Sequence, residues 1–138
     1  MKAIENFLAY NLSENLGKLI LRFSLGFLML FHGYKKAVDG IEGLKALVLK
    51  SGFPEYLAYG VYLGEIVFPI LIIIGLYTRI SSLIYASTMA FAIYLAHSSE
   101  VFGLSETGGL IIELPLLYML GAVALVFMGA GKYSLDRR

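Results

Sequence analysis

The chain contains no cysteine. That excludes thiol–disulfide exchange, iron–sulfur ligation and covalently attached haem as chemistry it performs alone. Charge is scarce as well: 15% of the residues are Asp, Glu, Lys or Arg, against about a quarter in an ordinary soluble domain. The formal net charge of +1 gives no basic footprint for nucleic acid. A phosphate-cradling loop is missing too. The stretch Gly129-Ala130-Gly131-Lys132 follows an apolar run, not a strand, and opens no helix, so it lacks the setting in which backbone N–H groups gather round a phosphate. Histidine is limited to His32 and His97, a thin donor set for a metal or a haem.

What the sequence has in quantity is apolar length. Of 138 residues, 59% are hydrophobic, and the mean hydropathy is +0.78. Runs over approximately 16–34, 57–77, 80–96 and 109–128 each approach the ~20 residues that cross ~30 Å of hydrocarbon. We therefore expect one all-α domain over 1–138, an integral membrane bundle of four helices. No small-residue cleavage site follows the first run, so it reads as a retained helix and not as a signal peptide. Between the first two runs, Ile41, Leu44, Leu47 and Val48 recur at helical spacing among charged residues. This predicts a short amphipathic helix on the membrane surface, in the first external loop. Gly26 with Gly33, and Gly60 with Gly64, mark expected close approaches between helices. Lys2, Lys18, Arg79, Lys132, Arg137 and Arg138 fall on one side of such a bundle, and Lys35, Lys36, Lys45 and Lys50 on the other. The bias places both termini in the cytoplasm, in a multi-pass protein of the cell (inner, cytoplasmic) membrane.

The polar residues inside the runs are the candidates for function. Arg22, Leu25, Met29, His32 and Lys36 form one helical stripe. Arg22 is expected to snorkel to cytoplasmic phosphates or to pair with an internal carboxylate. Arg79 and Lys36 are assigned with it, to anchoring or ion pairing. Glu65 lies about eight residues into the second run. A lone charge at that depth costs about 2.5–3.5 kcal/mol, so it should face the interior, paired or protonated. His32, His97 and Glu113 fall at comparable depth, so two glutamates and two histidines from four helices are expected to share the outer half.

The order RxxxG…FHGxxK at Arg22–Lys36, GFP at Gly52–Pro54, LGEIVFPILIIIGLYTR at Leu63–Arg79 and GAGKYSLD at Gly129–Asp136 resembles the DoxX family. The resemblance implies a small four-helix membrane protein. The family takes its name from a subunit of a thiosulfate:quinone oxidoreductase, and its members are described as oxidoreductases or redox-stress membrane proteins. Its pattern falls on Arg22, His32, Gly33, Lys36, Glu65, Thr78 and Arg79; Pro69 departs from it, standing where relatives more often have glycine. Three functions follow. The first is a quinone-binding subunit, with Glu65 and His32 as catalytic proton-handling groups and Glu113, His97, Tyr62 and Phe31 lining the site. The second is a membrane anchor that assembles a soluble redox enzyme through Arg79 and the basic tail. The third is a small proton-coupled transporter. A haem held between the histidines is a further alternative to the quinone. The expected partners are the bilayer, a soluble or membrane redox protein, and a second copy of this chain.

Overall fold

The structure is a computed structural model that describes residues 1–97, 99 and 101–138. Those residues are helical with no strand: α1 Lys2–Asn11, α2 Glu14–Asp39, α3 Glu42–Lys50, α4 Glu55–Ile74, α5 Thr78–His97 and α6 Glu113–Met128. Helices α2, α4 and α5 are long and apolar enough to cross a membrane. Helix α6 is apolar but has 16 residues, about 24 Å at 1.5 Å per residue. The four expected runs thus become three full-length helices and a shorter one. Helix α1 lies outside every run and was not anticipated; none of its residues is buried. Helix α3 occupies the expected amphipathic segment, and its apolar face packs inward, with Val48 buried beside Ile41 and Ala58.

Local chemistry explains where the helices start and bend. Ser13 caps α2 by accepting the Leu16 N–H at 3.2 Å, a role suited to a short hydroxyl side chain. Helix α4 is not uniform. It opens with a 3₁₀ turn over Glu55–Tyr59 and widens to a π turn over Leu63–Val67. Pro69 is the cause: it has no N–H for the carbonyl of Glu65 one turn back, and its ring crowds that carbonyl. The chain widens ahead of it, and the Phe68 N–H bonds the Leu63 carbonyl instead. Gly75, in the left-handed region at φ +75, ends the helix.

Two glycines then set how α2 meets α4. A Cβ on Gly26 would stand 2.6 Å from the carbonyl oxygen of Pro69, and one on Gly33 would stand 2.6 Å from that of Glu65. The backbones touch there, as small residues permit. Gly64 faces Thr88 on α5, whereas a Cβ on Gly60 would meet no other side chain or neighbouring helix within 4 Å; the small-residue pair expected in this helix reduces to Gly64. Leu25, Met29, Ile72, Tyr85, Ala86, Met89, Tyr118, Ala122 and Leu125 fill the centre. The Tyr85 hydroxyl donates to the Leu25 carbonyl at 2.9 Å.

The role expected for Arg22 is corrected. It is buried, and among the described residues its guanidinium forms no salt bridge with a carboxylate. It donates to the carbonyls of Ile72 (2.9 Å) and Ile73 (2.7 Å) at the end of α4, and of Ala130 (3.0 Å) and Tyr133 (2.9 Å) in the tail. The Ile72 carbonyl also accepts the Gly75 N–H at 3.2 Å, and the planar fork of donors serves all four carbonyls at once. Arg79 acts likewise, donating to Val126 and Phe127 at the end of α6. The tail closes the arrangement. Asp136 accepts the N–H groups of Tyr77 (2.9 Å) and Thr78 (2.8 Å) at the start of α5. Burial pushes the Asp136 carboxyl up, but these bonds and the Arg138 charge outweigh it and hold it below its ordinary value.

Two outcomes are expected. Arg22→Lys offers three donors to four carbonyls, so at least one charge-assisted bond is lost at about 1.5–3 kcal/mol, read as a lower Tm in detergent; an unchanged Tm would restore the anchoring role. Asp136→Ala costs about 0.5–2 kcal/mol as a lost cap. Because the folded carboxyl titrates below its unfolded value, that contribution is complete above about pH 4 and is lost as pH falls through the folded value. Melting curves of the two proteins should therefore converge in acid, and a constant gap would contradict the cap.

Candidate functional site

The π turn and the Gly33 contact together build the site. The turn carries Glu65 into the bundle, where it is 4% exposed; single π turns of this kind recur at functional sites. One turn beyond Gly33 on α2, Lys36 reaches back over it. Its Nζ lies 2.8 Å from Oε1 and 2.7 Å from Oε2 of Glu65. Tyr62 holds the same stretch of α2, its hydroxyl donating to the Lys36 carbonyl at 3.3 Å. The Lys36 side chain is 37% exposed and that of Glu65 is 5% exposed, so the ammonium is the accessible end of the pair. An ammonium has three donors. Two serve Glu65, and among the described residues the third has no protein acceptor.

The pair forms the shared wall of two cavities. The larger, about 370 Å³, lies among α3, α4 and α5 and is lined by Leu44, Val48, Leu57, Val61, Ile84, Phe91 and Leu95, with Ser87 and Thr88. The smaller, about 250 Å³, lies among α2, α5 and α6 and is lined by Met29, His32, Ala96, His97, Leu114, Pro115 and Tyr118. Lys36, Glu65, Met89 and Ala92 line both.

The expected residues therefore separate. Glu65, His32 and His97 converge, the histidines on the smaller cavity; the ring of His32 meets that of Tyr118 edge-on at 6.1 Å. Lys36, assigned to anchoring or ion pairing, is the ion partner of Glu65. Three residues expected to line the site do not. Glu113 is exposed in the first turn of α6 and borders neither cavity. Tyr62 supports the α2 backbone instead. Phe31 is 60% exposed and packs edge-on to Phe27 on the outer face of α2, because helical spacing turns it away from the Met29–His32–Lys36 stripe. Sequence reasoning missed Tyr118, Met89 and Ala92, which carry no signal apart from their place in apolar runs. The partnership of Lys36 with Glu65 did have a signal, its place on that stripe.

The DoxX family pattern matches residues 17–98. The chain belongs to the DoxX family. The matched region runs from α2 through α5, so it includes the ion pair and the whole lining of the larger cavity. An uncharacterized protein of Haemophilus influenzae is 34% identical over 121 residues, 86% of this chain and 87% of its own length. A second is 36% identical over 73 residues. That match takes in 53% of this chain, which spans about half, 46%, of that relative. A Bacillus subtilis protein named "Putative oxidoreductase CatD" is 29% identical over 126 residues, 91% of this chain and 89% of its own. No solved structure matches the chain. Family and apolar helices together make this DoxX protein a membrane protein.

Removing one member of a buried pair leaves the other charge uncompensated, at about 3–5 kcal/mol. Lys36→Met should lower the Tm in detergent accordingly, and adding Glu65→Leu should recover most of the loss. A double variant as unstable as Lys36→Met would mean that the two side chains are not coupled.

Proposed function

We propose that this DoxX protein binds the head group of a lipid-soluble quinone at the Lys36–Glu65 pair, as a membrane subunit of a larger oxidoreductase. The observation that carries this reading is the ammonium set into the wall of an apolar cavity with one N–H left over. A quinone carbonyl oxygen is an acceptor that such a donor would fix, and leucine, valine and phenylalanine walls suit the ring and the first part of its tail. A volume of about 370 Å³ falls within the ~300–1,000 Å³ of pockets that hold small ligands. Reduction of a quinone takes two electrons and two protons. With no cysteine in the chain, the electrons are assigned to a partner subunit. Lys36 would orient the carbonyl and Glu65 would pass protons to it. The name of the Bacillus subtilis relative supports a redox role.

The other readings are less well supported. Arg79 and the tail bond the ends of α6 and the α4–α5 turn, which leaves them poorly placed to grip a soluble enzyme. Below the pair, Met29, Ile72, Tyr85, Ala122 and Leu125 are packed at 0–1% exposure, so a transport route would have to break the core. A haem between the histidines does not fit, because the cavity they line, about 250 Å³, is below even the ~300 Å³ of small-ligand pockets. For membrane placement we propose four crossings with both termini in the cytoplasm, α6 spanning with help from the apolar residues before it. Reporter fusions at Tyr77 and Arg138 should then read cytoplasmic and one at Gly43 external; an external C-terminus would reverse the assignment.

Calorimetric titration of the detergent-purified protein with a short-chain ubiquinone analogue tests the binding site. Lys36→Met should weaken binding at least about tenfold, ~1.4 kcal/mol, whereas Phe31→Ala, on the outer face, should leave it unchanged. Folded wild-type protein that takes up no quinone would refute the reading.

A further inference from the structure

We propose that the two cavities divide the work at the Lys36–Glu65 pair: the larger holds the ligand, and the smaller is a water-filled inlet that brings protons to the pair past His32. The identity of the ligand rests on the quinone reading; the inlet does not.

The two spaces differ in shape and chemistry. The larger follows α5 from Leu95 to Ile84, eleven residues or about 16 Å along the helix axis, and among the described residues its polar lining beyond the pair is Ser87 and Thr88. That is a slot for an apolar body. The smaller is short and lies at the end of the bundle, between the last turns of α5 and the first turns of α6. Each helix contributes a polar group to it: His32 and Lys36 from α2, Glu65 from α4, His97 from α5 and Tyr118 from α6. A water settles in a protein where it finds two to four polar partners, and its share of liquid volume is about 30 Å³. A space of about 250 Å³ with five such groups round it meets both conditions.

The pair also needs a route of this kind. Glu65 is buried and its oxygens are held by Lys36, so a ligand in the larger cavity would seal that approach to solvent. The smaller cavity reaches the same two side chains from among α2, α5 and α6. His32 is exposed and stands one turn from Lys36 on α2. Imidazole can accept at one nitrogen and donate at the other, so it relays a proton without moving away. In this step a proton enters from bulk water, passes His32 and the cavity waters, and reaches the pair; no electrons move.

The cysteine-free chain makes the test direct. Ala92 lines both cavities, so Ala92→Cys in lipid vesicles reports which one admits water. A charged methanethiosulfonate reagent, whose outer sulfur the thiolate attacks with loss of methanesulfinate to leave a mixed disulfide, should label it. Adding Ala96→Phe, which plugs the smaller cavity, should slow labelling at least about tenfold, while Val61→Phe, which plugs the larger, should leave it within about twofold. Where Ala96→Phe does not elute as a folded protein, Leu114→Phe plugs the same space from α6. Labelling that stops with the larger plug, or no labelling of Ala92→Cys at all, overturns the inlet. In a second arm, His32→Gln should slow deuterium exchange of the Lys36 ammonium, read by NMR of labelled lysine, while leaving thiol labelling unchanged. Equal exchange rates would remove His32 from the route. Quinone titration of the same variants keeps the two readings apart: Val61→Phe should abolish uptake and Ala96→Phe should retain it. Absence of quinone binding everywhere with the labelling pattern intact would refute the ligand and leave the inlet standing.

Discussion

Gly33 lies against the main-chain carbonyl of Glu65, close enough that one added methyl group would stand 2.6 Å from the oxygen. Most of the site follows from that contact. It fixes the separation of α2 and α4, and one turn further along α2 it delivers Lys36 onto the Glu65 carboxylate at 2.7–2.8 Å. The same carbonyl belongs to the turn that Pro69 cannot complete, which is why α4 widens there and Glu65 points inward. A side chain at 33 would push the helices apart and leave a carboxylate without its cation in an apolar setting, the costliest arrangement open to such a pair.

The opposite end of the bundle solves a different polar problem with the same economy of residues. Helix α4 ends against the tail, and its last carbonyls take donors from beyond the helix, the Leu135 N–H at Ile74 among them. Arg22 from α2 serves those of Ile72 and Ile73, and it holds the tail through Ala130 and Tyr133. The tail in turn caps α5 through Asp136, and Arg79 satisfies the end of α6. Two of the basic residues at this end, Arg22 and Arg79, are thus engaged with main-chain groups. The molecule has a closed end, knotted by these bonds, and an end where cavities meet an ion pair.

That polarity frames the functional reading. A buried ion pair contributes little to stability when set against well-packed apolar residues of the same volume. Its place between an apolar slot and a histidine-lined space gives it a use beyond packing: a fixed donor for a ligand oxygen and a carboxylate within reach of protons. The remaining core, centred on Met29, Tyr85 and Leu125, keeps those groups in place without taking part.

Composition and run length by themselves determined that the chain is helical and rich in membrane-spanning length, because apolar runs of about 20 residues have few other uses. The motifs pointed to the family, and depth alone marked Glu65 as a residue that must be neutralised. Spacing along α2 put Lys36 on the same stripe as His32 but could not choose a partner for Glu65 among an arginine, two histidines and a lysine. Tertiary structure made that choice. It assigned Arg22 to carbonyls, since hydrogen bonds between segments some fifty and a hundred residues apart leave no trace in local periodicity. It also turned Phe31 outward and left Glu113 at an exposed helix start, because the rotation of each helix about its axis depends on contacts such as Gly33 with Glu65 and not on the run in which a residue lies.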